Sequence, residues 1–330
     1  MEITENKPIN LDVFIIGAGP IGLACAIEIK KLGLAYVVCD KGCLVNSLYH
    51  YPQTMTFFST AERLEIGGLP FVSLLSKPGR AEALEYYRRV AAYYQIPLRL
   101  FDGVEQVCPM PNGGFAISTS KGRFIAKKVI VATGFYDRPV MLDVPGENLP
   151  KVSHYYKDPH FYAFQDVLVV GGNNSAVDAA LECWRKGARV TMVMVEAGIG
   201  ERVKYWVRPD IENRINEGSI TAYVSSSIQA IRPWEVDIKT PTGRVTIPND
   251  WVLAMTGYKP DFGLLNKMGV ELSRDGKFYP SYNPQTMETN VPGLYLAGVV
   301  VGGMDTHVWF IENSREHAKL IAAHLRPLFG

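Results

Sequence analysis

Cysteine is scarce in this 330-residue chain: five thiols, an odd number, at Cys25, Cys39, Cys43, Cys108 and Cys183. Most stand inside apolar segments, which argues against a disulfide scaffold and for reduced thiols in a reducing compartment. Neither sign of charge is in excess, with 34 Lys and Arg against 33 Asp and Glu. The basic residues are scattered rather than striped, so nucleic acid is not an expected partner. Long apolar runs are missing too, and none approaches the roughly 20 residues that a membrane helix needs. The opening MEITENKPIN has no basic stretch leading into an apolar run, so no signal peptide is expected. These absences leave a cytoplasmic protein with no membrane, no nucleic acid and no metal site as the expectation.

What is present is a large apolar fraction, 47% of residues, enough for the cores of two domains. One pattern occurs twice. LDVFIIGAGPIGLACAIEIKKLGLAYVVCD, residues 11–40, reads as strand, glycine turn, helix and strand ending on an acid. Gly17 permits the tight turn, Gly19 lets a pyrophosphate approach the backbone, and Gly22 lets the helix pack on the strand. The free amides and positive end of the helix then meet the phosphate charge, and Asp40 is placed to accept from a ribose hydroxyl.

The second copy, VLVVGGNNSAVDAALECWRKGARVTMVMVE at 167–196, departs from the pattern. Asn173 replaces the second glycine and Ala176 the third. Asn tolerates left-handed backbone, so the turn survives. The strand is read as ending on Glu196. A carboxylate there suits a ribose diol and repels a 2′-phosphate, whereas Arg202 and Lys204 could reverse the preference, so NADH or use of both coenzymes is expected.

KKVIVATGFYDRP closes the first unit at Gly134, and DWVLAMTGYKPD closes the second at Gly257. Between matching glycines the first unit is the longer. Its extra residues fall in the passage 41–80, rich in aromatic, Thr and Ser residues and able to wall in a flavin ring. After the second unit the chain returns through GLYLAGVVVGGMDTHVWFIENSREH. The fold class expected is therefore α/β, with two Rossmann-like dinucleotide-binding domains of the three-layer ββα kind, the FAD domain split by an inserted NAD(P)H domain. The boundaries expected are 1–139 and 260–330 for FAD and 140–259 for NAD(P)H. Candidate FAD contacts are Gly17, Gly19, Pro20, Ile21, Gly22, Asp40, Lys41, Ser47, Thr133 and Gly134, joined from the return by Gly298, Val299 and Ile311. Candidate NAD(P)H contacts are Gly171, Gly172, Asn173, Asn174, Ser175, Glu196, Lys204 and Gly257.

The two units, the paired ATG-type strands and the GLYLAG turn resemble the low-molecular-weight thioredoxin reductase architecture. The strings KGCLVNSLYHYPQTMTFFSTAERLEIGGLPF, VPGENLPKVSHYYKDPH, GGNNSAVDAALE, YWVRPDIENRINEGSI and FIENSREH resemble, more narrowly, the bacillithiol-disulfide (bacilliredoxin) reductase family. That resemblance implies an FAD enzyme that takes a hydride from NADH or NADPH and passes two electrons to a low-molecular-weight disulfide or small redox protein. A homo-oligomer, dimer or tetramer, is expected. A ferredoxin or flavodoxin reductase of the same architecture, or a flavin redox sensor without turnover, stays open as an alternative.

Three departures stand out. Thioredoxin reductases carry a CxxC pair in the nicotinamide domain, and this chain has Cys183 alone there, read as core. Characterised bacillithiol-disulfide reductases have a cysteine in the first glycine turn, where Ile21 stands. The broader group has Gly-Asp where Gly298-Val299 stands, so flavin binding is expected to rest on the amides of that turn and of the helix near Ile311 and Glu312. Cys25 is read as packing. Cys43, His50 and His307 are the catalytic candidates, the thiol as an electron relay and the imidazoles as proton donors.

Overall fold

The computed structural model describes residues 7–329, and these divide into two compact units. The first takes in the chain up to Tyr49, Thr56–Arg138 and the chain from Tyr258 on; the second is His50–Met55 with Pro139–Gly257.

The first unit opens with β1 (Ile9–Ile16), α1 (Pro20–Lys31) and β2 (Tyr36–Cys39). β1 is buried from Val13 onward, as a strand covered on both faces must be. α1 begins on Pro20, where the missing N–H is harmless, and ends on Lys30 and Lys31, which meet the negative end of the helix dipole. Then come α2 (Asn46–His50), α3 (Arg80–Tyr93), β3 (Leu98–Arg99), β4 (Val104–Pro109), β5 (Phe115–Thr119) and β6 (Gly122–Val131). The strands lie in the order β3-β2-β1-β6-β5-β4, parallel from β3 to β6 and antiparallel from β6 to β4.

β7 (Arg138–Pro139) leads into the second unit. There the chain forms β8 (Val152–Ser153), β9 (Asp166–Val170), α4 (Asn174–Arg185), β10 (Arg189–Val193), α5 (Arg208–Asn216) and β11 (Thr221–Tyr223). A meander of β12 (Ser227–Ile231), β13 (Glu235–Thr240) and β14 (Gly243–Pro248) precedes β15 (Trp251–Ala254). A parallel sheet runs β11-β10-β9-β15-β8, and the meander is a separate antiparallel sheet. Alternate residues of β9 serve opposite faces. Val167 and Val169 pack with Val177 and Leu181 of α4, while Leu168 and Val170 pack with Ile228, Val236 and Ile238 of the meander. Sheet, sheet and helix are thus the three layers expected.

The chain returns through β16 (Tyr258–Lys259), α6 (Phe262–Lys267), β17 (Leu294–Leu296), α7 (Ile311–Ser314) and α8 (Glu316–Phe329). β17 adds in parallel to β6, so the first unit is built from both ends of the chain. One segment differs from the boundaries expected: His50–Met55 belongs to the second unit. The Gln53 amide donates to the Lys157 carbonyl at 3.1 Å, and the Thr54 hydroxyl reaches the two carboxylate oxygens of Glu182 at 2.8 and 2.7 Å.

Candidate functional site

The first glycine turn has one open position between two closed ones. Gly17 has φ +108°, and a Cβ there would lie 2.4 Å from the Ala132 carbonyl oxygen. A Cβ on Gly22 would lie 1.8 Å from the Gly17 oxygen, whereas one on Gly19 would meet nothing within 4 Å. The outer glycines are therefore demanded by the fold and the middle one by whatever approaches it. Such an open cradle at a helix N-terminus fits a dinucleotide pyrophosphate. The wall of this cradle includes Ala132 and Thr133, and Gly134 follows in the left-handed region at φ +68°.

Asp40 stands directly after β2. Its carboxylate accepts from the Ala18 amide at 2.7 Å and the Gly42 amide at 2.8 Å. Burial raises its pKa and the two amides oppose that. Each oxygen keeps a lone pair for a ribose hydroxyl. The Val45 amide donates to the Ala18 carbonyl at 3.0 Å, which ties the Ser47 region to the turn. Lys41 is held by Asp137 at 2.9 Å.

The C-terminal turn also comes to this cradle: a Cβ on Gly298 would sit 3.4 Å from the Ile21 side chain. The Gly298 amide, however, is not free for a flavin. It donates to Nδ1 of His317, 3.1 Å away in the core, so the tautomer must carry its proton on Nε2. Burial pushes His317 down to about 4, with Glu316 opposing, and the Trp309 ring lies edge-on at 4.5 Å. Val299 follows Gly298 in the chain, and the short helix α7 at Ile311, which packs on α1, is capped by the Asn313 side chain accepting from the Phe310 amide at 2.7 Å.

Four of the five thiols, Cys25, Cys39, Cys43 and Cys183, are held away from the thiolate form by their surroundings. Cys39 donates to the Asp102 carbonyl at 2.8 Å, and burial pushes it up to about 12. Cys43 donates to Asn46 Oδ1 at 3.6 Å, and burial, then the charge of Asp40, raises it. Cys25 and Cys183 are fully buried and pushed up to about 12. His307 is exposed beyond a 3₁₀ turn at Val299–Gly302 in the first unit, and His50 is exposed at the start of the segment that joins the second.

The second turn corrects three expectations. Asn173 caps α4 in extended backbone, φ −100°, and is not left-handed; that geometry falls on Gly171, φ +123°, because a Cβ there would lie 2.7 Å from the Met255 oxygen. β10 ends at Val193, so Glu196 lies in the exposed bend beyond it. Lys204 is drawn away by Asp178, its ammonium 2.7 Å from the carboxylate and mostly buried. Asn174 works through its side chain: Nδ2 donates to the Arg202 carbonyl at 2.9 Å, and Oδ1 accepts from the Lys204 amide at 2.9 Å. Gly172 accepts from the Gly200 amide at 2.9 Å. Ser175 lies in the first turn of α4, and Gly257, φ +93°, follows β15 as Gly134 follows β6.

Sequence reasoning missed His317 and Asp178. His317 falls in register with buried Ile321 and Leu325 on α8, and a histidine on an apolar helix face needs a partner. That signal was in the sequence. The pairing of Asp178 with Lys204 depends on a long loop and had no such signal.

Two units, each with a glycine turn opening onto a helix N-terminus, define an oxidoreductase built on two dinucleotide folds. The chain belongs to the pyridine nucleotide-disulphide oxidoreductases, whose family model matches residues 14–298, and within them to the bacilliredoxin reductases. It is 44% identical to bacilliredoxin reductase Bdr of Bacillus subtilis over 94% of this chain and 96% of that protein. The solved bacillithiol disulfide reductase Bdr of Staphylococcus aureus is 37% identical, with a TM-score of 0.94, covering 98% of this chain and all of that one. Its Bacillus cereus counterpart is 40% identical at the same TM-score, covering 97% and 99%. Flavin and NAD(P)H chemistry goes with this family. Among the described residues no helix is long and apolar enough to cross a membrane.

Proposed function

We propose that the chain is an FAD-dependent NAD(P)H oxidoreductase that reduces the disulfide of a low-molecular-weight thiol, bacillithiol disulfide being the substrate its relatives' names point to. The observation that carries this is the pair of turns: an open cradle at Gly19 with Asp40 beside it in one unit, and a second turn at Gly171 in the other. Gly17, Gly19, Gly22 and Asp40 would hold the FAD pyrophosphate and ribose in the first unit, with Gly298 and Val299 shaping its far end. Gly171, Gly172 and the N-terminus of α4 would hold the nicotinamide coenzyme in the second. When bound, the flavin supplies the two-electron exchange between nicotinamide and disulfide.

The residues of the chain bind, orient and move protons. A disulfide gaining two electrons must also gain two protons to leave as two thiols, and exposed His307 is proposed to return one of them. Cys43 is not proposed as an obligatory relay, because its thiol is raised away from the thiolate that exchange requires. The test is steady-state NADH and NADPH oxidation by the yellow protein with bacillithiol disulfide, with release of free thiol measured in parallel. Thiol formed in proportion to coenzyme consumed is the expected result. Coenzyme oxidation supported by ferredoxin or flavodoxin, with no thiol formed, would move the protein to that other class of acceptor.

A further inference from the structure

Past the C-terminal turn, the first unit folds a second recess on itself. Gly303 takes φ +54°, and a Cβ there would lie 2.3 Å from the Lys277 carbonyl oxygen, so this glycine lets the segment after the 3₁₀ turn press against residues 277–278. The Met304 amide donates to the same carbonyl at 2.8 Å. Gly302 is small for a similar reason, since a Cβ there would stand 3.0 Å from Cδ1 of Trp309. The result is a cavity of about 340 Å³, open to solvent, with Tyr279, Tyr282 and Trp309 as aromatic walls and Asp305 as its charged group. That volume is at the small end of ligand pockets. It has room for a single ring and not for a nucleotide.

Its polar groups define what fits. Lys277 Nζ donates to Asp305 Oδ1 at 2.8 Å, and the Tyr279 hydroxyl donates to Oδ2. These contacts hold the Asp305 pKa below its ordinary value and fix the Tyr279 ring as a wall. The ion pair has no net charge, so charge draws in neither a phosphate nor an ammonium group. Each carboxylate oxygen keeps a lone pair. Among the described residues, neither the Tyr282 hydroxyl nor the Trp309 Nε1–H has a hydrogen-bond partner in the protein. Burial raises the Tyr282 pKa, so its hydroxyl stays a donor. One acceptor and two donors among aromatic faces call for a group that both donates and accepts, which is a hydroxyl. The C–H faces of a saturated ring suit the aromatic walls. We infer that this recess binds a sugar ring carried by the disulfide substrate. The inference rests on the functional reading above and adds a subsite to it. His307, proposed there to return a proton, stands between two lining residues, Asp305 and Val308. A ring held here keeps its disulfide on the segment that bears the proton donor.

The experiment compares flavin-loaded wild type with Tyr282→Phe, which keeps the wall and removes the donor, and Tyr282→Ala, which removes both. Saturation-transfer NMR with methyl β-D-glucopyranoside should give clear ligand signals in the wild type, weaker ones in Tyr282→Phe and none in Tyr282→Ala. With bacillithiol disulfide, a sugar-bearing disulfide, Tyr282→Ala should raise KM at least about fivefold while kcat stays within about twofold, as the loss of a binding contact away from the chemistry does. FAD content and flavin reduction by NADH should be unchanged. Glucoside signals that are absent in the wild type or equal in Tyr282→Ala, or an unchanged KM, would overturn the assignment. Loss of FAD from Tyr282→Ala would give the recess to the flavin and overturn it as well. A wild type that does not reduce bacillithiol disulfide would overturn the functional reading, and the glucoside signals would then decide separately whether the recess takes a sugar.

Discussion

At the scale of single residues, His317 shows how a titratable group can serve as a structural acceptor. Its neutral ring receives the Gly298 amide, and burial holds its pKa at about 4. Because the folded value lies below the unfolded one of about 6.5, the unfolded chain binds the extra proton between them. Stability from this group is present in full above about pH 6.5 and falls as pH drops toward 4. Thermal unfolding followed from pH 7 to 4.5 should therefore show a steeper loss for the wild type than for His317→Gln across that window. His317→Leu should lose about 1–3 kcal/mol at pH 7, the cost of a buried amide left without an acceptor. Equal pH slopes in wild type and His317→Gln would show that the ring does not titrate as the geometry requires.

At the scale of elements, the first glycine turn separates folding from binding. Gly22→Ala must displace the Gly17 carbonyl, 1.8 Å from the new Cβ, and should cost about 3 kcal/mol or more, as overpacked or strained sites do. Gly19→Ala adds a methyl to open space at φ −73°, a backbone any residue adopts. The flavin-free Gly19→Ala protein should melt within a few degrees of wild type yet bind FAD at least about tenfold more weakly, the methyl standing where the pyrophosphate would approach. Equal FAD affinity in fluorescence titration would contradict the cradle. This turn was legible from sequence because each glycine answers to a local geometric need. The second turn was less so. Its strand was read through to Glu196 on continuous apolar residues, but pairing between β9 and β10 stops at Val193, where the chain bends away under long-range bonds to Gly172 and Ser225. The Gly298 amide was likewise expected to face a ligand, and only the packing of α8 shows it spent on His317. Local spacing carries turns and layers; which amide or ammonium is already taken is decided by residues far along the chain.

At the scale of the whole molecule, the chain builds its first unit from both ends and leaves the second as an insertion, and each unit is proposed to hold one of two redox partners. Every thiol described is buried, raised or both, apart from exposed Cys108 on an edge strand. Reduction by the coenzyme should then survive replacement of all five cysteines by serine, with a rate constant within about threefold of wild type, since hydride transfer needs stacking and no thiol. The central claim is that electrons from the coenzyme leave through a disulfide, and it is tested most directly under anaerobic conditions. The flavoprotein is reduced with one equivalent of NADH, mixed with bacillithiol disulfide, and followed by flavin absorbance with thiols titrated at the end. The account predicts full return of the oxidised flavin spectrum with two thiols formed per flavin; a flavin that stays reduced with the disulfide and is reoxidised only by a ferredoxin or flavodoxin would contradict it.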